Sequence, residues 1–162
     1  MKKIIFSLLT LLLASCGSLL PSSQHSGETK VPQKVIEGKW TLESVTYNQK
    51  EKYEVTLLND TSKDCFEGSV WDFIPENNRG TYRINNNDCS IGERNFVFVI
   101  QNKDKTSGYY DFALKPTDEK YQSETSQGIV FQLVHLSART MIWEQTLKVD
   151  GKHFVISMNF VK

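Results

Sequence analysis

Near the C-terminus, Phe154, Ile156, Met158 and Phe160 occupy every second position, opposed by Val155, Ser157, Asn159 and Val161. A period of two places one set on each face of an extended chain, which excludes a helix there. The pattern recurs upstream. Met141, Trp143, Gln145 and Leu147 share a face, and Ile129, Phe131 and Leu133 share another with His135. From Val35 onward Val, Ile, Thr, Phe, Tyr and Trp dominate the candidate elements. Strands are predicted near residues 38–47, 52–58, 69–74, 81–85, 95–101, 109–114, 128–136, 140–147 and 152–161. A short helical turn fits between Leu57 and Cys65. Turn residues separate the strands at Pro75 to Gly80 and Asn85 to Asp88, and Asp150-Gly151 is a two-residue hairpin signal. Short consecutive strands favour an antiparallel meander, and eight or nine of them suffice to close an all-β barrel without exposed edges. A sandwich is the alternative.

The chain carries 19 basic and 19 acidic residues. Losing Lys2 and Lys3 with a leader leaves 17 against 19, a balance that gives no nucleic acid partner a footprint. Lys103-Asp104-Lys105 and Asp118-Glu119-Lys120 read as mixed-charge hairpin tips.

Lys2 and Lys3 precede an apolar run from Ile4 to Leu13, too short to span a bilayer comfortably. The run ends in Leu13-Ala14-Ser15-Cys16, which resembles the lipobox of bacterial lipoproteins. The resemblance implies cleavage after Ser15 and acylation of Cys16, with several acyl chains forming a stable anchor. Residues 1–15 then form the signal peptide. Residues 16–34 form the lipidated cysteine and a Ser- and Pro-bearing stalk that includes His25, and residues 35–162 form the folded domain. No acidic residue directly follows Cys16, and the expected address is the outer membrane, facing the periplasm.

With Cys16 assigned to lipid, Cys65 and Cys89 remain as an even pair. An oxidising envelope favours a disulfide between them. A metal pair is the competing reading, although no nearby histidine completes a ligand set.

Gly38-Lys39-Trp40 at the start of the first strand is similar to the Gly-x-Trp signature of lipocalins. In order behind it come Val45-Thr46-Tyr47-Asn48, the run from Cys65 to Phe73, Gly80-Thr81-Tyr82, a second cysteine and a final hairpin. This layout, behind a lipobox and a polar stalk, resembles lipocalin-like lipoproteins of Bacteroidetes, and it spans Val35 to Lys162. The resemblance implies a cup that binds small apolar molecules. Its candidate lining is Trp71, Phe73, Tyr82, Phe96, Phe98, Phe131, Trp143, Phe154, Ile156 and Met158. Each of these is also a natural core residue of a barrel filled by its own side chains. Trp40 is expected to plug one end, with Arg139 as the candidate for the family's arginine that packs over this tryptophan. Gly38 suits a bend or a close backbone approach.

No catalytic motif stands out. His135 and His153 lie on different strands without spaced carboxylate partners, and Asp60, Asp64, Asp72 and Asp88 match no calcium loop. No cofactor is implied. Two functions from different classes fit the residues. One is a lipid-anchored cup for a small hydrophobic ligand. The other is a filled barrel that docks on an envelope protein complex. An enzyme is not expected.

Overall fold

The computed structural model describes residues 33–103 and 110–162. The leader, Cys16, the stalk with His25, and the tip at Asp104-Lys105 lie outside the described residues. A one-turn helix, α1 (Gln33–Ile36), leads into β1 (Gly38–Tyr47). Two short strands, β2 (Thr56–Leu57) and β3 (Thr61–Ser62), and a second one-turn helix, α2 (Lys63–Phe66), come next. Then follow β4 (Val70–Ile74), β5 (Arg79–Ile84), β6 (Gly92–Lys103), β7 (Tyr110–Thr117), β8 (Ile129–Leu136), β9 (Thr140–Val149) and β10 (Lys152–Val161).

Eight antiparallel strands close into a barrel in the order β1-β10-β9-β8-β7-β6-β5-β4. The closure is non-local: β1 pairs with β4 through Gly38–Phe73 to Thr41–Val70, and with β10 through Thr41–Val161 to Tyr47–Ile156. The remaining neighbours are consecutive hairpins, as a meander requires. At Asp150-Gly151 both residues have positive φ (49° and 78°), the twist a two-residue hairpin needs. Gly38 bends with φ 91°, and a Cβ there would meet nothing within 4 Å, so its role is conformation and not close approach.

Three expectations are corrected. Residues 52–58 do not form a barrel strand. Val55 and Leu57 alternate like one, but Leu58 and Asn59 adopt left-handed φ (53° and 56°) and Asp60 N–H closes a turn on the Leu57 carbonyl. The segment 48–69 folds instead as a cap over the upper end of the barrel, and the expected helical turn appears as α2, shifted toward its C-terminal end. His135 does not share the inward face of Ile129, Phe131 and Leu133. A register shift between Leu133 and His135 turns it outward opposite Ile142 and sends Leu136 opposite Met141. Arg139 does not cover Trp40. Lys162 does so, because the β1–β10 pairing carries the C-terminus to the start of β1.

Candidate functional site

The lower end of the barrel is sealed by its own residues. Trp40 is buried and its indole N–H donates to the Ile36 carbonyl at 2.7 Å. The Lys162 ammonium sits 4.8 Å from the centre of the Trp40 ring and donates to the carbonyls of Val35 and Glu37. Ile36, fully buried, completes the plug.

All ten candidate lining residues point inward and are buried: Trp71, Phe73, Tyr82, Phe96, Phe98, Phe131, Trp143, Phe154, Ile156 and Met158. Most of them pack on one another. Trp71 stacks on Tyr82 with ring centres 4.8 Å apart and meets Trp143 edge-on at 5.8 Å. Phe98 stacks on Phe112 at 4.9 Å, and Phe112 lies 4.4 Å from Trp143. Such separations fall in the range of direct aromatic contact. These rings fill the middle of the barrel, so the deep lining of the expected cup is core.

Above them, the cap lies over the β4–β5–β6 side. Phe66, Leu57 and Leu58 are buried there, with Phe66 5.3 Å from the Tyr82 ring. Asp60 accepts from Tyr82 Oη at 2.9 Å and from Arg94 Nε at 3.0 Å. Burial first, then the neighbouring carboxylate, pushes the Tyr82 phenol well above its ordinary value of 10.0. Cys65 of α2 is disulfide-bonded to Cys89 in the β5–β6 turn, fastening the cap to the barrel. The pairing decides between disulfide and metal pair in favour of the first.

The β8–β9 side is different. The β8–β9 ladder runs from Leu136–Met141 up to Gln132–Glu144, while β9 continues to Val149 paired with β10 alone. Above Glu144, β8 and β9 are therefore no longer paired, although β8 continues to Ile129 on β7. Gln145, Leu147 and Val149 continue the inward row of Met141 and Trp143, and Leu147 is directly opposite inward-facing Phe154. Exposure rises along that row, from zero at Trp143 to 41% at Leu147 and 39% at Val149. Inward-facing apolar side chains in contact with water are what a shallow binding throat presents.

A family model described as a lipocalin-like domain matches residues 36–143, about two-thirds of the chain. The chain belongs to the lipocalin-like domain family. Among solved structures, it is similar to a lipocalin-like protein from Bacteroides uniformis, with a TM-score of 0.45 and 16% identity over 79% of this chain and 98% of the other. No curated protein matches it.

In this lipocalin-like domain the histidines do not converge. His135 is exposed near the lower β8–β9 turn, 2.9 Å from Thr140 Oγ1, and His153 is exposed beside the upper β9–β10 turn. Among the described residues no cluster of three His, Cys, Asp or Glu side chains is arranged to hold a metal ion. Sequence reasoning placed Gln145 and Leu147 on the correct face but did not include them, or Val149, in the lining. The signal that singles them out is the early end of the β8 ladder, which has no local sequence mark.

Proposed function

We propose that this lipocalin-like domain binds a small hydrophobic molecule at the upper throat between β8, β9 and β10. One observation carries the reading: Leu147 and Val149 face inward yet remain exposed. A ligand covering about 200 Å² of apolar surface there gains roughly 5 kcal/mol before the cost of association. The role is binding and not catalysis. The domain is held on the cell envelope, at the periplasmic face of the outer membrane, by acyl chains on Cys16.

The self-packed interior favours a second reading, a filled barrel that docks on an envelope protein complex. Titration with N-phenyl-1-naphthylamine at neutral pH separates the two. Saturable binding to one site, lost in Leu147→Glu, supports the throat. Fluorescence gained only at acid pH or on partial unfolding reports exposed core and overturns it. For the anchor, globomycin is expected to leave an unprocessed precursor. A Cys16→Ser chain retained in carbonate-washed membranes rules the acyl anchor out.

A further inference from the structure

The outer face of the barrel differs from wall to wall. On β1, β10 and β9 it is polar: Thr46, Ser157 and Glu144 share one rung, and Ser44 and Asn159 lie side by side on the next. These groups satisfy one another, Ser157 Oγ donating to Glu144 and Asn159 Nδ2 to Ser44 Oγ, both at 3.2 Å. The wall of β6, β7 and β8 is apolar. Val99, Ala113 and Val130 are paired across one outward rung, and Val97 stands beside Val99 on β6. Val99 is 55% exposed and Val130 49%, with half-buried Ala113 between them. Ile74, also exposed, extends the wall on the far side of Arg79. Scattered apolar residues on a surface need no explanation, but a contiguous outward stripe marks an interaction surface.

The groups bordering the stripe suit a lipid headgroup layer. Arg79 and Lys115 flank Val97 on its rung, and the ring of Tyr121 in the β7–β8 loop lies 4.4 Å from the Arg79 guanidinium. Basic side chains and tyrosine settle at the boundary between acyl chains and water. On β7 and β8 the one outward carboxylate, Asp111, sits at the lower margin of the stripe beside Gln132. The loop carboxylates Asp118, Glu119 and Glu124 come after the upper end of β7.

The chain's own attachment brings this wall to a bilayer. The first described element, α1, packs on the turn Pro75–Asn77, which follows Ile74 directly. The carbonyl of the next residue, Asn78, accepts from Phe98 N–H at 2.9 Å, between Val97 and Val99 on β6. From Cys16 to Pro32 the chain has seventeen residues, which span at most about 60 Å when fully extended. An acyl anchor on Cys16 therefore keeps the domain close to the surface, where a modest apolar contact suffices to seat it.

Resting on the acyl-anchor reading above, we propose that the outer wall of β6, β7 and β8 docks on the headgroup layer of the bilayer that holds Cys16. Val99 and Val130 enter the boundary with the acyl chains, and Arg79, Lys115 and Tyr121 rest among the headgroups. The barrel lies on its side. β8 borders both this wall and the throat, so docking sets the throat beside the lipid.

The test uses the full-length acylated protein reconstituted into vesicles of phosphatidylethanolamine and phosphatidylglycerol. Cys65 and Cys89 are bridged and Cys16 carries lipid, so an introduced cysteine is the free thiol for a nitroxide label. Labels on Val99→Cys and Val130→Cys report the apolar wall, and a label on Ser157→Cys reports the polar wall. All three side chains point away from the core, so the fold tolerates the changes. Collision with a water-soluble nickel chelate reads the access of each label to water. Nickel access is expected to be severalfold lower on the apolar wall than on the polar wall, with oxygen access raised. Adding Val99→Glu is expected to restore nickel access to the label on Val130→Cys. Equal nickel access at all three labels, in protein that floats with the vesicles, overturns the docking and leaves the anchor standing, with the wall free for a protein partner. Protection of all three labels overturns the choice of wall. Protein that does not float with the vesicles removes the anchor reading, and this inference with it.

Discussion

Replacing both bridging cysteines, Cys65→Ala with Cys89→Ala, removes the covalent fastening of the cap. The two residues are 24 apart in sequence. A cross-link closing a loop of that length lowers the entropy of the unfolded chain by about 12 cal/mol/K, or roughly 3.5 kcal/mol at 25 °C. The native state retains most of its contacts without the bridge. Phe66, Leu57 and Leu58 stay buried, Val45 N–H still donates to Glu67, and Asp60 still receives Tyr82 and Arg94. The loss is therefore expected to act mainly through the unfolded ensemble. It appears as a fall of about 3.5 kcal/mol in urea-derived stability with little change in native spectra, and as a thermal midpoint lower by roughly 10–15 °C. The unsubstituted protein in excess reductant should coincide with the variant to within about 1 kcal/mol, since the thiols fill the same space. A stability change below about 1 kcal/mol in the oxidised comparison would show that the bridge does not constrain the unfolded chain, and the entropic reasoning would fail.

Gly80 lies in β5 under the ring of Phe96, and a Cβ there would sit 2.3 Å from Phe96 Cζ and 2.6 Å from the Asp72 carbonyl oxygen. Gly80→Ala is expected to lower stability by about 2–3 kcal/mol, because Phe96 is fully buried and the carbonyl belongs to the β4 ladder. An unshifted urea midpoint would contradict that crowding. Tyr82→Phe removes the hydrogen bond to Asp60 and should cost about 1–1.5 kcal/mol at neutral pH. The phenol is held protonated in the fold above its unfolded value of 10.0, so its contribution is complete below pH 10 and is lost as pH rises beyond it. Denaturation curves between pH 9 and 11 should fall more steeply for the unsubstituted protein than for Tyr82→Phe, and parallel curves would count against it.

Much of this architecture is legible from local signals because alternation and hairpin turns are local. The row from Phe154 to Phe160 lies inward along its whole length, and Asp150-Gly151 forms the hairpin that its residue types favour. What stays hidden depends on distant parts of the chain. Lys162 over Trp40 follows from β10 closing on β1, and nothing near position 162 announces it. Arg139 reaches that corner through its backbone, whose carbonyl accepts from Lys162 N–H. Alternation marks Trp71, Phe73 and Phe98 as inward but is silent on whether the space between them is empty. That depends on rings from opposite walls meeting, as Trp71 and Trp143 do. Residues 52–58 carry a strand-like pattern, and the left-handed turn at Leu58 and Asn59 diverts them into the cap.

The cap and the throat are mechanically joined. Above Glu144, β9 has lost β8 as a neighbour, so its upper half is held through β10 alone. Phe154, the β10 residue opposite Leu147, is clamped by Tyr47 stacked at 5.3 Å and by Tyr53 packed edge-on at 5.1 Å. Tyr53 belongs to the cap, and its backbone N–H is tied to Tyr47 Oη at 3.0 Å. The cap that the Cys65–Cys89 bridge fastens on one side of the barrel thus also braces the wall of the throat on the other. The aromatic cluster around Trp71 and Trp143 lies below both, and the cap touches it through Phe66, which packs on Tyr82 and Trp71. Loosening the cap should therefore change throat affinity well before it unfolds the domain.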